Sequence, residues 1–275
     1  MILLIVGDHP RHIYLVRYLQ KYFKNIAIIF EKREKFFPKI SENFYQFNSK
    51  LNNNILQRHF YERKLSENKF FGDFESKEFH EECLKKNIPI INCEKETLNS
   101  DETIKFIKSV KPEIALSYGC HIIKNKTLEE LPKKSFNLHG GISPWYRGSI
   151  THFWPSYFLE PQMTGMTLHQ LTKDLDAGGI VHQNSGVLER GDGIHDLSCR
   201  TLKSFITELP FVINKILKDD FQLSTQKSSG KLWLNSDWRP EHLKLVYEYF
   251  NNKIVDYVLD NLDHSIKKTI IKMKI

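Results

Sequence analysis

The fold of this chain is decided at its start, where residues 1–30 read MILLIVGDHPRHIYLVRYLQKYFKNIAIIF. Residues 1–6 form an unbroken apolar run, which is typical of a parallel strand covered on both faces. Apolar residues then repeat at helical spacing from Ile13 to Phe23, and residues 26–30 are a second apolar run. This strand–helix–strand order predicts an α/β sheet. The first turn has a single glycine, so the G-x-G-x-x-G pattern of a dinucleotide site is absent.

The same alternation continues along the chain. Helical patterns cover residues 43–71, 79–86, 102–110 and 196–217, with a helical turn at 128–131; strand patterns cover 90–93, 113–117, 135–138, 163–171 and 180–187. Pro210 lies inside the longest helical pattern and is expected to kink or divide that helix. A change of composition at residues 224–230 predicts a boundary. We therefore expect a main domain at 1–223 and a short C-terminal appendage at 224–275, with a helix from residue 240 to about 250.

Composition excludes several classes of protein. The chain has 275 residues with 40% hydrophobic and 27% charged residues, which are globular values. Its four cysteines form no CxxC pair, so reduced thiols in a cytoplasmic protein are expected. No stretch approaches the ~20 apolar residues of a membrane span. The apolar start is short and lacks a basic segment, so it is interpreted as a buried strand and not as a signal peptide.

The basic balance of the chain has three interpretations. The formal net charge is +7 and the sequence pI is near 9.0. This charge suits a nucleic-acid binder, a pocket for an anionic small molecule, or simply a surface rich in lysine. Because no block of Lys and Arg is long enough to form a binding arm, surface lysine is a sufficient explanation.

A dense group of polar residues follows the strand predicted at residues 135–138. The stretch reads SFNLHGGISPWYRG at residues 135–148. Asn137 and His139 are two positions apart, so they share one face of the strand near its carboxyl end, where open α/β sheets bind ligands. The two glycines and Pro144 let a ligand approach the backbone closely. Taken alone, the stretch also fits a structural histidine held by a turn carbonyl.

A second stretch reads LHQLTKDLDAGGI at residues 168–180. It predicts a strand, an acidic turn, a Gly-Gly pair and another strand. A carboxylate in this turn could set the tautomer of a histidine and stabilise its cationic form. An ordinary hairpin turn with polar residues is the alternative.

Together the two stretches resemble the formyltransferases that use N10-formyltetrahydrofolate, over roughly residues 1–215. The resemblance implies a Rossmann-like, open, mostly parallel sheet flanked by helices. Within that family, GGISPWYRGS at 140–149 and THFWP at 151–155 are similar to the sugar-nucleotide branch. So is the tail from Gly230 to Leu243, and residues 58–72 are similar to enzymes that formylate GDP-perosamine.

The resemblance also implies the roles of the catalytic residues. Asn137 would donate its carboxamide N–H to the developing oxyanion. His139 would act as the general base on the attacking amine, or as a donor to the oxyanion. Asp176 would orient His139 and handle the proton that passes to the folate nitrogen.

Further residues are expected to bind the two substrates. In the resembled family the pterin is held mainly by backbone groups, which here correspond to Tyr118, Gly119, Cys120, His121, Ile122, Ile123, Thr172, Lys173 and Asp174. The acceptor residues expected on the same basis are Tyr146, Arg147, Arg63 and His169. In the resembled fold His169 lines the same side as Asp176, so it could also support the catalytic residues. Ordinary alternatives are an exposed loop histidine for His121, a packed strand histidine for His169, and a helical ion pair with Glu67 for Arg63. Trp154 is expected in the core.

The predicted activity is formyl transfer from N10-formyltetrahydrofolate to the amino group of a nucleotide-linked 4-amino-4,6-dideoxy sugar. GDP-perosamine is the first candidate and a dTDP-linked amino sugar the second, within O-antigen or lipopolysaccharide biosynthesis. No metal is expected, because the histidines lack HExxH or clustered spacing. We expect no nucleic-acid or membrane partner, and a homodimer formed through the C-terminal appendage. The alternative is that this appendage caps the core of the monomer.

Three alternatives stay open at this stage. A formyltetrahydrofolate hydrolase would use water in place of the amine, but the family's hydrolases usually carry an N-terminal regulatory domain. A methionyl-tRNA formyltransferase would need a larger C-terminal domain than the residues after Gly230 provide. A non-enzymatic nucleotide- or RNA-binding protein would explain the charge but not the set of Asn137, His139 and Asp176.

Overall fold

The computed structural model describes residues 1–33, 49–74, 76–226, 230–266 and 268–274. Its strands are β1 (Ile2–Gly7), β2 (Ile26–Glu31), β3 (Ile90–Cys93), β4 (Ile114–Tyr118), β5 (Lys134–His139), β6 (Tyr146–Gly148), β7 (Gly165–Gln170), β8 (Ile180–Ser185) and β9 (Lys231–Trp233). Seven of them form one sheet in the order β3-β2-β1-β4-β5-β7-β8. The five strands from β3 to β5 run parallel, and β7 and β8 join antiparallel. The predicted open, mostly parallel sheet is confirmed.

The helices flank this sheet and connect its strands. They are α1 (Pro10–Gln20), α2 (Ser49–Phe71), α3 (Ser76–Lys85), α4 (Asp101–Val110), α5 (Asn125–Leu128), α6 (Trp154–Tyr157), α7 (Ile194–Leu217), α8 (His242–Lys244) and α9 (Ile254–Asn261). Short 3-10 turns lie at Pro161–Met163 and Asn235–Asp237, and a π-helical turn lies at Leu245–Tyr249. No helix among these described residues is long and apolar enough to cross a membrane.

Local sequence explains where the helices begin and end. Pro10 occupies the first turn of α1, where its missing N–H costs nothing. The hydroxyl of Ser100 accepts a hydrogen bond from the Thr103 amide at the start of α4, and Lys111 ends that helix in the left-handed conformation. The apolar stripe of α7 is buried against the sheet in the main core, which also holds β1, β2 and β4.

Several sequence-based boundaries shift in the structure. Helix α7 runs unbroken through Pro210, so the expected division of this helix was wrong: packing of the stripe on both sides outweighs one missing amide donor. The turn predicted at 128–131 forms earlier, as α5. The first part of the helix predicted from residue 43 lies outside the described residues, as does part of the boundary at 224–230. Helix α9 and the short sheet of β6 and β9 carried too weak a pattern to be predicted.

The C-terminal segment, which comprises the described residues of the appendage predicted at 224–275, packs on the rest of the chain at two places. Strand β9 runs parallel to β6, and buried side chains from Trp238 to Val258 share a core with α2, β6 and α6. Further on, the backbone N–H of Gln183 on β8 donates to the backbone carbonyl of Ile271 at 2.7 Å. The division into a main domain and an appendage stays a prediction, with a shared core between them.

The order of the strands determines where a ligand site can form. The connections run one way from β1 to β3 and return to the other side of β1 at β4. Ligands of open α/β sheets bind at such a reversal, beyond the carboxyl ends of the strands. Gly7 is the last residue of β1 and Gly119 directly follows β4, and the ring of His12 lies close to both glycines. Gly119 has φ +66°, and a Cβ there would overlap the His12 ring, so this position requires glycine.

Candidate active site

Strand pairing places two of the site side chains next to each other. In the antiparallel register of β5 and β7, Asn137 lies opposite His169 and His139 lies opposite Thr167. Residues directly opposite on such a pair project from the same face. The hydroxyl of Ser117 donates to Asn137 Oδ1 at 2.8 Å, which turns the amide group of Asn137 toward His169.

Asp176 enters the same cluster from the loop between β7 and β8. Its carboxylate lies 3.4 Å from Asn137 Nδ2, 3.4 Å from His139 Nδ1 and 3.2 Å from His169 Nε2. The Gly148 amide donates to its Oδ2 at 2.9 Å. The backbone of Asp176 has φ +49°, a conformation that Asp and Asn tolerate better than most residues. The structure therefore brings together the residues predicted as catalytic, with His169 as a fourth member.

The electrostatics of the cluster keep Asp176 ionised. Burial opposes ionisation, but His139, His169 and the Gly148 amide outweigh it, and the pKa of this carboxyl lies well below its usual range. The side chains of Asp176 and His139 are each only 6% exposed. A buried carboxylate can hold a histidine in one orientation and stabilise its cation.

The ring of His139 contacts protein groups through both nitrogens. Its Nε2 lies 2.7 Å from the carbonyl oxygen of Tyr146, so Nε2 carries the proton and donates it to that oxygen. Its Nδ1 faces the Asp176 carboxylate. The sequence left two interpretations of His139 open: a ring held by a turn carbonyl, and a ring paired with a carboxylate. The structure contains both contacts. In this arrangement Nε2 is a donor, so accepting a proton there requires the Tyr146 contact to open.

The loop after His139 is fixed by hydrogen bonds to β7 and β8. The Thr167 hydroxyl donates to the Gly141 carbonyl at 2.6 Å, and Gln183 Nε2 donates to the Ser143 carbonyl at 2.7 Å. A Cβ on Gly141 would lie 2.7 Å from His139 Nε2 and 2.4 Å from the Tyr146 oxygen. Glycine at 141 therefore allows the His139–Tyr146 hydrogen bond to form.

A cavity of about 1110 Å³ opens beside this cluster. Its walls include His139, Gly140 and Gly148 at one part, and side chains from α1, α2, α7 and the C-terminal segment elsewhere. Volumes of several hundred to a thousand Å³ are usual for small-molecule sites. The cavity therefore has room for a substrate larger than a single metabolite ring.

The residues expected to bind folate divide into two groups. Tyr118, Gly119 and His121 line the cavity, whereas Thr172, Lys173 and Asp174 lie in an exposed loop. His121 is not a free loop histidine, because its Nδ1 and its amide each lie 2.9 Å from the buried carboxylate of Glu31. Cys120 is partly buried, and burial raises the pKa of its thiol to about 12. Ile122 is exposed and Ile123 is partly buried.

The residues expected to bind the acceptor are also divided. The Tyr146 ring is buried and its hydroxyl donates to Glu160 at 3.1 Å, so the side chain is engaged away from the cavity. Arg147 follows it on β6 and is not among the described residues that line the cavity. Arg63 does line the cavity and also pairs with Glu67 at 2.8 Å, as the helical spacing predicted. Trp154 is a core residue, as expected.

Some residues of the site carried no sequence signal of their own. Ser117 orients Asn137 from the neighbouring strand, and Gln226 Nε2 holds the Asp176 loop by donating to the Asp176 carbonyl at 2.9 Å. His59, His195 and Tyr247 form a buried hydrogen-bonded group in and beside the cavity. All of these contacts join distant parts of the chain, and one sequence shows no pairing between them.

Comparison with known proteins identifies the class of protein. Residues 50–212 match the formyl transferase family, which is more than half of the chain. The chain therefore belongs to the formyl transferase family.

Individual relatives agree with this class. The chain is 32% identical over 153 residues to the bifunctional polymyxin resistance protein ArnA of Wigglesworthia glossinidia brevipalpis; this match covers 55% of the chain but only 22% of that relative. An N-formyltransferase of Helicobacter canadensis, solved with folinic acid and dTDP-3-aminofucose, has a TM-score of 0.55 at 20% identity, over 98% of this chain and 86% of that one. WlaRD, a sugar 3N-formyl transferase solved with dTDP and 5-N-formyl-THF, has a TM-score of 0.55 at 18% identity, over 96% and 84% of the two chains. These two structures share the fold of this chain.

Proposed function

We propose that this chain transfers a formyl group from N10-formyltetrahydrofolate to the amino group of a nucleotide-linked sugar. The observation that carries the proposal is the convergence of Asn137, His139 and Asp176 at the edge of a large cavity in a chain of the formyl transferase family. Asn-His-Asp is the set that the family resemblance implied.

The side chains of the cluster suit acyl transfer to an amine. The donor supplies an activated formyl group, and the amine nitrogen must bond to its carbon while the folate nitrogen leaves. The amide N–H of Asn137 is a donor that can stabilise the oxygen on which negative charge develops, and the Nε2–H of His139 becomes a second donor when its hydrogen bond to the Tyr146 carbonyl opens. Asp176 stabilises His139 as a cation, so the pair can hold the proton lost by the amine until the leaving nitrogen takes it.

The second substrate is proposed from the cavity and from the relatives. The described residues that line the cavity include five basic and two acidic side chains, which suits an anionic ligand. Both solved neighbours were captured with a dTDP compound and a folate. A 4-amino-4,6-dideoxy sugar linked to GDP, GDP-perosamine first, is our candidate acceptor on sequence resemblance, and a dTDP-linked amino sugar is the second. We also propose that the enzyme acts in O-antigen biosynthesis, is located in the cytoplasm and forms a homodimer.

The folate is proposed to contact the loop from Tyr118 to Ile123. Glu31 anchors that loop through His121, which gives the pterin a fixed backbone to bind. The exposed loop at residues 172–174 adjoins Asp176 and would close over the donor.

One incubation tests the activity. The chain is mixed with N10-formyltetrahydrofolate and GDP-, dTDP- or UDP-linked 3-amino and 4-amino sugars, and tetrahydrofolate release and product mass are followed. We expect tetrahydrofolate release only when an amino sugar is present, and a sugar-nucleotide product that has gained one formyl group. Release of formate without any sugar would identify a hydrolase and contradict the proposal.

A further inference from the structure

A cluster of cationic side chains lies in the cavity and takes no part in the proton transfers described above. Arg11 comes from the first turn of α1, and Arg63 comes from α2. Both contact a single oxygen, Oε1 of Glu67, and Arg63 does so through Nε at 2.8 Å. Among the described residues, Glu67 is the only carboxylate paired with either guanidinium. Two cations thus share one anion.

The cluster is sheltered from solvent but open to the cavity. The side chains of Arg11, Arg63 and Glu67 are 20%, 25% and 10% exposed, and all three line the cavity. Among the described residues, Arg11 Nε is buried and has no hydrogen-bond partner. An unsatisfied buried donor costs free energy, which a bound acceptor would recover.

The field of the cluster acts on its neighbours. Burial, followed by Arg11 and Arg63, lowers the pKa of His9 to about 4. Burial likewise lowers the pKa of His152 to about 4, with both arginines among the other causes. These histidines are neutral at pH 7, so each can donate an N–H hydrogen bond to an anion without adding charge. The uncompensated positive charge is that of the arginines.

We infer that Arg11 and Arg63 form the subsite for the diphosphate group of the acceptor, at the α1–α2 wall of the cavity. The inference rests on the proposed function, because the same cavity receives the amino sugar beside His139. Planar guanidinium groups bind phosphate oxygens in pairs of parallel hydrogen bonds, and two of them match the two phosphates of a diphosphate. Glu67 is a positioning residue that keeps both guanidinium groups in place before the ligand arrives.

The carboxylates of a folate are the other anions that could reach this cavity. The loop proposed for the pterin begins at the end of β4, and its anchor is Glu31, whereas both arginines pair with Glu67. Arg63 lies on α2, outside that loop, whereas Arg11 also interacts with Tyr118 at the start of the loop. Two guanidinium groups held by one carboxylate match the two linked phosphates of a diphosphate. The diphosphate is therefore the favoured ligand, and folinic acid is the comparison in the experiment.

Calorimetric titration of the chain with GDP, dTDP, UDP and folinic acid tests the subsite. We expect at least one nucleoside diphosphate to bind the unmodified chain, and its Kd to rise at least about tenfold in Arg63→Met and in Arg11→Met, since each removes a charged hydrogen bond. The Kd of folinic acid is expected to stay unchanged. Lys64→Met is the matched control, because Lys64 is exposed on the same helix and its loss removes the same charge outside the cavity.

Three results would overturn the subsite: no binding of any nucleoside diphosphate, unchanged binding in Arg63→Met, or a loss of folinic acid affinity in place of diphosphate affinity. Arg63→Lys, which can keep an ion pair with Glu67, serves if the Met variants do not fold; it should still lose affinity because the paired donors are gone. Arginine-dependent diphosphate binding without formyl transfer to any sugar would leave the subsite standing and refute the proposed function.

Discussion

At the scale of single residues, the site depends on one buried carboxylate. Asp176 contacts Asn137, His139 and His169 at once, and the Gly148 amide completes its surroundings. The sequence predicted the role of Asp176 through its family resemblance. It could not predict that His169 shares the carboxylate, because that contact depends on the register between β5 and β7.

Replacing Asp176 by Asn tests the electrostatic role of the carboxylate. Asn keeps the shape and tolerates φ +49°, but it cannot stabilise a cationic His139. We expect formyl transfer to fall about 10²–10⁴-fold with a correctly folded protein. Asp219→Asn is the control, because Asp219 has φ +58° but is exposed and ion-paired with Lys134. Near-normal turnover in Asp176→Asn would remove Asp176 from the mechanism.

The ion pairs of Glu67 predict a pH dependence of stability. Burial raises the pKa of this carboxyl, but Arg11 and Arg63 outweigh it and lower the pKa from 4.5 to about 2. Because the folded-state pKa is the lower one, the stabilisation is complete above pH 4.5 and is lost as the pH falls toward about 2. Urea unfolding should show Glu67→Gln less stable than the unmodified chain by about 3 kcal/mol at pH 7. The gap should narrow below pH 4.5, and a constant gap would contradict the assignment.

At the scale of elements, the βαβ start and the two polar stretches predicted the sheet and its functional edge. Burial on both faces makes such strands visible as apolar runs. The elements that the sequence did not predict depend on tertiary contacts. Strand β6 pairs with β9 across a long stretch of chain, and α7 continues through Pro210 because its stripe is buried on both sides of that residue.

The loop between β5 and β6 makes a prediction at this scale. In Gly141→Ala the added methyl would overlap the hydrogen bond between His139 Nε2 and the Tyr146 carbonyl. We expect turnover to fall at least about tenfold, since the ring of His139 must move, while substrate binding at Arg63 on α2 stays close to normal. Steady-state kinetics and diphosphate titration measure the two effects. Equal loss of both would indicate a general collapse of the cavity.

At the scale of the whole molecule, the C-terminal segment forms part of the cavity wall. Trp238 and Arg239 line the cavity beside α2, and Leu243 is fully buried in the core shared with α2 and β6. Composition predicted a boundary before this segment but not its contribution to the cavity. Composition reflects only the residues of one stretch of sequence, whereas the cavity wall forms by packing between parts of the chain that are far apart in sequence.

Truncating Leu243 tests whether this segment folds with the rest. Leu243→Ala should lower the free energy of unfolding by about 2–5 kcal/mol, the usual cost of a cavity in a core. Denaturant curves followed by tryptophan fluorescence and by circular dichroism should shift together. Leu84→Ala is the control, because Leu84 is 56% exposed on α3. Two separate transitions would show that the segment is an independent unit.

The proposed function depends above all on the participation of His139 in formyl transfer to an amino sugar. The direct measurement is the rate of formylated sugar nucleotide formation from N10-formyltetrahydrofolate, by product mass, in the unmodified chain and in His139→Ala. We expect a formylated product from the unmodified chain and a rate at least about 10²-fold lower in the variant, with both substrates still bound. A rate in His139→Ala close to that of the unmodified chain would contradict it.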